Sequence, residues 1–161
     1  MNRRPVVLAL LVTLLALVGC GGALDRDRTV NVQGDDAEMN AAIEKARETL
    51  PNFWEAFEKR DRGVGDFAIK VRITDANGVE HFWANNVERK DGKIFGVINN
   101  DPNTVKSVKM GDRIEIPEAD ISDWLYMRAD GKMVGNRTLR PLLKTLSADE
   151  AAKLRSILAE P

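Results

Sequence analysis

The chain's single histidine, His81, stands in the run Val79-Glu80-His81-Phe82-Trp83, and an imidazole suits general-base work or metal ligation near neutral pH. A second imidazole or a nearby thiolate is missing, since the only cysteine, Cys20, lies far towards the N-terminus. Trp83 on the same strand face points to a packed histidine before a catalytic one. Ser107, Ser122, Ser147 and Ser156 lie in no Gly-x-Ser-x-Gly turn, which disfavours serine hydrolysis. Glu118, Asp120 and Asp123 offer carboxylates for acid/base chemistry, but acids this close in sequence ordinarily form a solvated loop. Asp75-x-Asn77-Gly78 opens like a calcium loop, yet Asn86 stands where the last liganding Glu belongs, so a hairpin turn explains it better. The glycines at 63, 65, 131 and 135 precede no Lys-Ser or Lys-Thr, and nucleotide binding has no support. Trp54, Trp83 and Trp124 could build an aromatic ligand platform, although core packing is the better reading. No metal site, cofactor or catalytic constellation emerges.

These residues are positioned by elements legible in the periodicity. Asp35 or Asp36 caps a helix on which Met39, Ile43, Ala46 and Leu50 recur at helical spacing, and Pro51 ends or kinks it. A short second helix starting at Pro51 presents Phe53, Trp54 and Phe57 on one face, to be docked on a sheet. Period two begins at Phe67, where Phe67, Ile69, Val71 and Ile73 alternate with Ala68, Lys70 and Arg72. Asn77-Gly78 turns the chain into a strand from Val79 to about Val87, with Val79, His81, Trp83, Asn85 and Val87 expected on one face and Phe82 and Ala84 on the other. Asp91-Gly92 leads into Lys93–Ile98, Val105–Ile116 is expected to form one or two more strands, and Ala129-Asp130-Gly131 marks another hairpin. Helix returns after Thr138, and Ser147 with Glu150 forms a capping box for the last one. The expected fold is therefore α+β: a curved antiparallel sheet or small partly open barrel of five to seven strands, with N-terminal and C-terminal helices packed on one face.

The N-terminus carries an address. Arg3 and Arg4 precede an apolar run from Val6 to Val18, about 20 Å long as a helix and too short for the roughly 30 Å hydrocarbon core. With Gly19-Cys20-Gly21-Gly22 following, it reads as a signal peptide. Leu17-Val18-Gly19-Cys20 resembles the lipobox of bacterial lipoproteins, which implies cleavage before Cys20 and its acylation with diacylglycerol and a fatty acid such as palmitate. Two or three acyl chains anchor stably. Gly21 stands where the inner-membrane retention signal would have Asp, so that resemblance places the protein on the periplasmic face of the outer membrane. The chain then divides into a signal peptide (1–19), a lipidated Cys and polar tether (20–36) and one domain (37–161). Removing the leader deletes Arg3 and Arg4 and no acid, so the formal charge moves from -1 to -3 (24 minus 2 basic against 25 acidic side chains). Such a balance carries no nucleic-acid footprint. With Cys20 acylated, the chain forms no disulfide of its own.

The order Phe53-Trp54, Lys70-x-x-Ile73, His81-Phe82-Trp83, Asn99-x-x-Pro102, Lys109-x-Gly111-Asp112, Ile121-Ser122-Asp123-Trp124 and Gly135-Asn136-x-Thr138-x-x-Arg140 resembles the YegJ-like bacterial family, domain of unknown function 2314. The resemblance implies a small non-repetitive bacterial domain and supplies no reaction. It flags His81, Trp83, Asp123, Trp124 and Arg140 as candidate binding positions. The favoured function is a membrane-tethered, non-catalytic binding module whose partner is an envelope protein or peptidoglycan. The alternatives are a hydrolase or metal-assisted enzyme using His81 with Asp123 or a nearby Glu, and an immunity or inhibitor protein.

Overall fold

The structure, a computed structural model, describes residues 7–11, 29–33 and 36–159. Cys20, and with it the lipidation site, lies outside them. Eight strands share one sheet: β1 (Val7–Leu11), β2 (Thr29–Gln33), β3 (Gly65–Asp75), β4 (Gly78–Lys90), β5 (Lys93–Ile98), β6 (Arg113–Glu115), β7 (Ile121–Met127) and β8 (Met133–Gly135). The helices are α1 (Ala37–Glu48), α2 (Leu50–Lys59), α3 (Leu139–Leu142) and α4 (Ala148–Ile157). This is the α+β class expected, with β3–β8 giving six strands inside the domain. Two further strands fall in the segments assigned to the signal peptide and tether: β1 pairs antiparallel with β2 and in parallel with β4 at Val79–His81. The Thr-Val-Asn-Val alternation of β2 is strand-forming chemistry.

Local signals are met where local chemistry decides. Asp36 accepts the Met39 N–H at 3.0 Å as the N-cap of α1, and Pro51 sits in the first turn of α2. Ser147 and Glu150 form the reciprocal capping box of α4. β3 and β4 make the expected hairpin, closing at the Asp75–Gly78 pair, and β5 begins and ends where the pattern places it.

Both faces of the central strands are covered, which corrects the expectation that all helices pack on one side. On the first face, Phe53 and Trp54 of α2 and Ala46 of α1 pack with Ile69, Val71, Phe82 and Trp124. The Trp124 indole N–H donates to the Ala46 carbonyl at 2.7 Å, pinning α1 to β7. On the second face, Leu139, Leu143, Ala151, Leu154 and Leu158 cover Ala68, Trp83 and Leu125. Beyond α4 the chain runs along β8, where the Ala159 N–H donates to Met133.

Two further features have local causes, the second of them a correction. Val105–Ile116 yields β6, one strand of the one or two expected, and backbone N–H groups ahead of it are taken by side chains. Glu80 accepts from Asn103, Thr104 and Val105, Asp75 from Lys106 and Ser107, and Asp112 from Lys109. Asn86, at φ 47°, forms a bulge in β4, and the shift carries Val87 into the core beside Phe82, not onto the face of His81 and Trp83.

Candidate functional site

The second face carries a buried polar layer. Lys70 and Asp123 are cross-strand partners on β3 and β7, and Lys70 also pairs with Trp83 of β4. The Lys70 ammonium donates to Thr138 Oγ1 at 2.8 Å and lies 4.7 Å from the centroid of the Trp83 ring. Thr138 Oγ1 in turn donates to Asp123 Oδ2 at 2.7 Å. The Asp123 carboxylate also collects the backbone N–H groups of Trp124, Arg137 and Thr138. Burial pulls the Lys70 amine down to about 8, with the Asp123 charge opposing the shift. The acidic cluster of the sequence is thereby dispersed. Asp123 is enclosed, Asp120 pairs with Arg72 at 2.8 Å, and Glu118 stays on the surface.

His81 is enclosed beside this layer. Its Nδ1 is 2.7 Å from Ser122 Oγ, whose hydroxyl also approaches the Lys70 carbonyl at 3.3 Å. Burial first, and then the cations Lys70, Arg72 and Arg47, hold the imidazole down at about 3, so the ring is neutral. Tertiary structure thus builds a Ser–His contact that no sequence motif announced. Both residues are only 1–2% exposed in the full chain, where β1 lies along β4 at His81, and among the described residues no carboxylate bonds the ring. Among the described residues, the third group that orients a catalytic imidazole is not in place.

The other candidates separate. Trp83 and Asp123 join Lys70 on the second face, while Trp124 points to the first, so the three indoles form no platform; Trp54 and Trp124 are both core residues, as expected. Arg140 donates to the Ala159 carbonyl at 2.9 Å and holds the C-terminal segment. Asp75 belongs to a turn, accepting from Asn77, Lys106 and Ser107; these backbone donors, Lys106 foremost, keep its carboxyl at about 2. Among the described residues no three His, Cys, Asp or Glu side chains converge as a metal site, and no helix is long and apolar enough to cross a membrane.

The accessible chemistry lies beside Trp83. β3 and β4 are paired only as far as Ile69–Ala84; beyond it, β3 follows β7 and β4 follows β5. The divergence opens a cleft of roughly 600 Å³ whose lining includes Trp83, Leu125, Phe57 and Phe67. Its polar lining is Asn85, Asn86, Asn99, Asp66 and Arg60. Of the five non-glycine residues with positive φ among the described residues, three are here: Arg60 (45°), Asp66 (52°) and Asn86 (47°). Such conformations cost on the order of 1 kcal/mol and concentrate at functional sites. The sequence reading missed these residues. The available signal was Asn85-Asn86, a turn-type doublet inside a strand pattern, which marks a bulge.

A six-stranded α+β domain with helices on both faces and a cleft between splayed strands is the class that these observations define. The chain belongs to the family described as an uncharacterized protein conserved in bacteria, DUF2314, which matches residues 36–158. It is 39% identical to the uncharacterized protein YegJ of Escherichia coli (strain K12) over 149 residues, 92% of this chain and 95% of that protein. A share that large reaches past the domain into the N-terminal segment. It is also 32% identical to a putative ankyrin repeat protein of Neisseria meningitidis serogroup B (strain ATCC BAA-335 / MC58) over 127 residues, 74% of this chain and 50% of that longer protein. No solved structure matches the chain.

Proposed function

We propose that the chain is a lipid-anchored, non-catalytic binding module of the bacterial cell envelope, with the cleft between the diverging ends of β3 and β4 as its ligand site. The anchor rests on the sequence alone: the apolar run, the small residues before Cys20 and its position argue for acylation at that thiol. Gly21 favours the periplasmic face of the outer membrane, and the likeness to YegJ beyond the domain fits a shared leader.

One observation carries the binding half: strained backbone and uncommitted polar groups meet at the cleft. Asn85, Asn86, Asn99 and Asp66 make no side-chain hydrogen bond among the described residues, whereas the polar layer behind Trp83 is bonded throughout. A side chain kept in a costly conformation without an internal partner has its use outside the fold. Among the described residues His81 bonds Ser122 and no carboxylate, so the arrangement gives a hydrolase little support.

Two experiments test the halves separately. Cys20→Ser is expected to leave the membrane fraction and remain folded, and its retention in membranes at high salt would overturn the anchor. The acylated protein in detergent should retain envelope material saturably, from extracts with or without purified peptidoglycan. Combined Asn85→Ala and Asn99→Ala should abolish that retention. Absence of any saturable, cleft-dependent ligand would sink the binding role.

A further inference from the structure

The cleft's shape and charge narrow what it can hold. The free edges of β3 and β4 part at Ile69 and Ala84 and are bulged within a few residues, at Asp66 and Asn86, so a partner strand finds no straight edge to extend. Recognition therefore falls to side chains. Asp66 and Arg60 set one negative against one positive charge at the rim, which favours neither an anion nor a cation. Asn85, Asn86 and Asn99 each present two N–H donors and a carbonyl acceptor. Their ligand must be dense in groups that both donate and accept while keeping an apolar face for Val64 and Phe67, since the Phe57 ring already carries the Arg60 guanidinium at 4.5 Å. Hydroxyl-bearing sugar rings have that combination, with equatorial hydroxyls around the rim and C–H bonds on the faces.

We infer that the cleft binds a neutral glycan, one or two sugar units lying against Val64 and Phe67 and hydrogen-bonded by Asn85, Asn86 and Asn99. This inference rests on the binding reading above and names its ligand class.

Asn86→Gly provides the discriminating variant. Glycine adopts φ 47° without strain, so the substitution removes the amide while relieving the backbone. The acylated protein in detergent would be titrated with two neutral trisaccharides, the N-acetylglucosamine trimer and maltotriose, by calorimetry and tryptophan emission. A blocked trialanine peptide serves as the comparison. Saturable binding of at least one trisaccharide, weakened tenfold or more by Asn86→Gly and by Asn99→Ala with the melting temperature held or raised for Asn86→Gly, is the expected result. Binding of the peptide in preference to both sugars, or trisaccharide binding indifferent to both substitutions, would overturn the glycan assignment. If both trisaccharides fail while envelope material is still retained in a cleft-dependent way, the ligand class is wrong and the binding role stands. If neither is retained, both fall together.

Discussion

Lys70 and Trp83 face each other across β3 and β4, with the ammonium 4.7 Å from the indole centroid and its one hydrogen bond directed to Thr138. The cation's contact with the Asp123 carboxylate runs through the Thr138 hydroxyl. This indirect pairing leaves burial dominant, which is why the amine sits at about 8 and not at 10.5.

Between pH 8 and 10.5 the unfolded chain therefore keeps a proton that the folded chain has released. The unfolded state binds more protons there, so stability should rise with pH across that window by on the order of 3 kcal/mol. Lys70→Met should remove the rise while the Asp123 carboxylate keeps its backbone and Thr138 donors. Urea unfolding at pH 8, 9 and 10 compares the two proteins, and equal slopes would show that Lys70 is not the group responsible.

His81 gives the opposite window. Its folded value of about 3 lies below the ordinary 6.5, so the unfolded chain binds the extra proton between them. Stability is fully present above pH 6.5 and is lost as pH falls towards 3. As the only histidine, it dominates the upper part of that range, before the carboxylates titrate. His81→Gln keeps a partner for Ser122 and should flatten the pH dependence between about 5 and 6.5. An unchanged profile would mean that the imidazole is protonated in place.

Glu80 organises the loop that leads from β5 to β6. Its carboxylate accepts from Asn103, Thr104 and Val105 at 2.9–3.2 Å while wholly buried. Glu80→Gln turns an amide N–H towards those donors and should cost about 2–4 kcal/mol, since several charge-assisted bonds are lost and buried donors are orphaned. Hydrogen exchange at Asn103, Thr104 and Val105 should accelerate selectively. Retained protection at these amides would refute the carboxylate's role in holding the loop.

Gly135 is required for a different reason. It adopts φ 82°, and a Cβ there would strike the Trp124 carbonyl oxygen and approach the indole Cε3 to 2.6 Å. Gly135→Ala should lose at least about 3 kcal/mol, because neither the backbone nor the buried Trp124 can give way. Thermal unfolding reads this directly, and a shift of less than a few degrees would contradict the packing described.

Much of this was legible along the chain. The alternation from Phe67 to Ile73, the turns at Asn77-Gly78 and Asp91-Gly92 and the Ser147–Glu150 box concern residues a few positions apart, whose interactions are settled by backbone geometry and near neighbours. The family pattern names Trp83 and Asp123, but not that they share a buried layer with Lys70 and Thr138. Asp123 looked like part of a surface cluster because its donors, Arg137 and Thr138, arrive from a distant loop.

By itself, then, the sequence determined the α+β class, most strand positions and the helix caps, all of which depend on spacing and composition within short windows. Only the tertiary structure decided that Lys70, Trp83, Thr138 and Asp123 form one layer, that His81 meets Ser122 and that the helices divide between two faces. The cleft is the clearest case. It exists because β3 leaves β4 for β7 just where β4 continues along β5, and that parting depends on register with two other strands at once. A one-dimensional pattern records the Asn85-Asn86 bulge; it holds no trace of the opposite wall supplied by Phe57 and Arg60 from α2 and its cap.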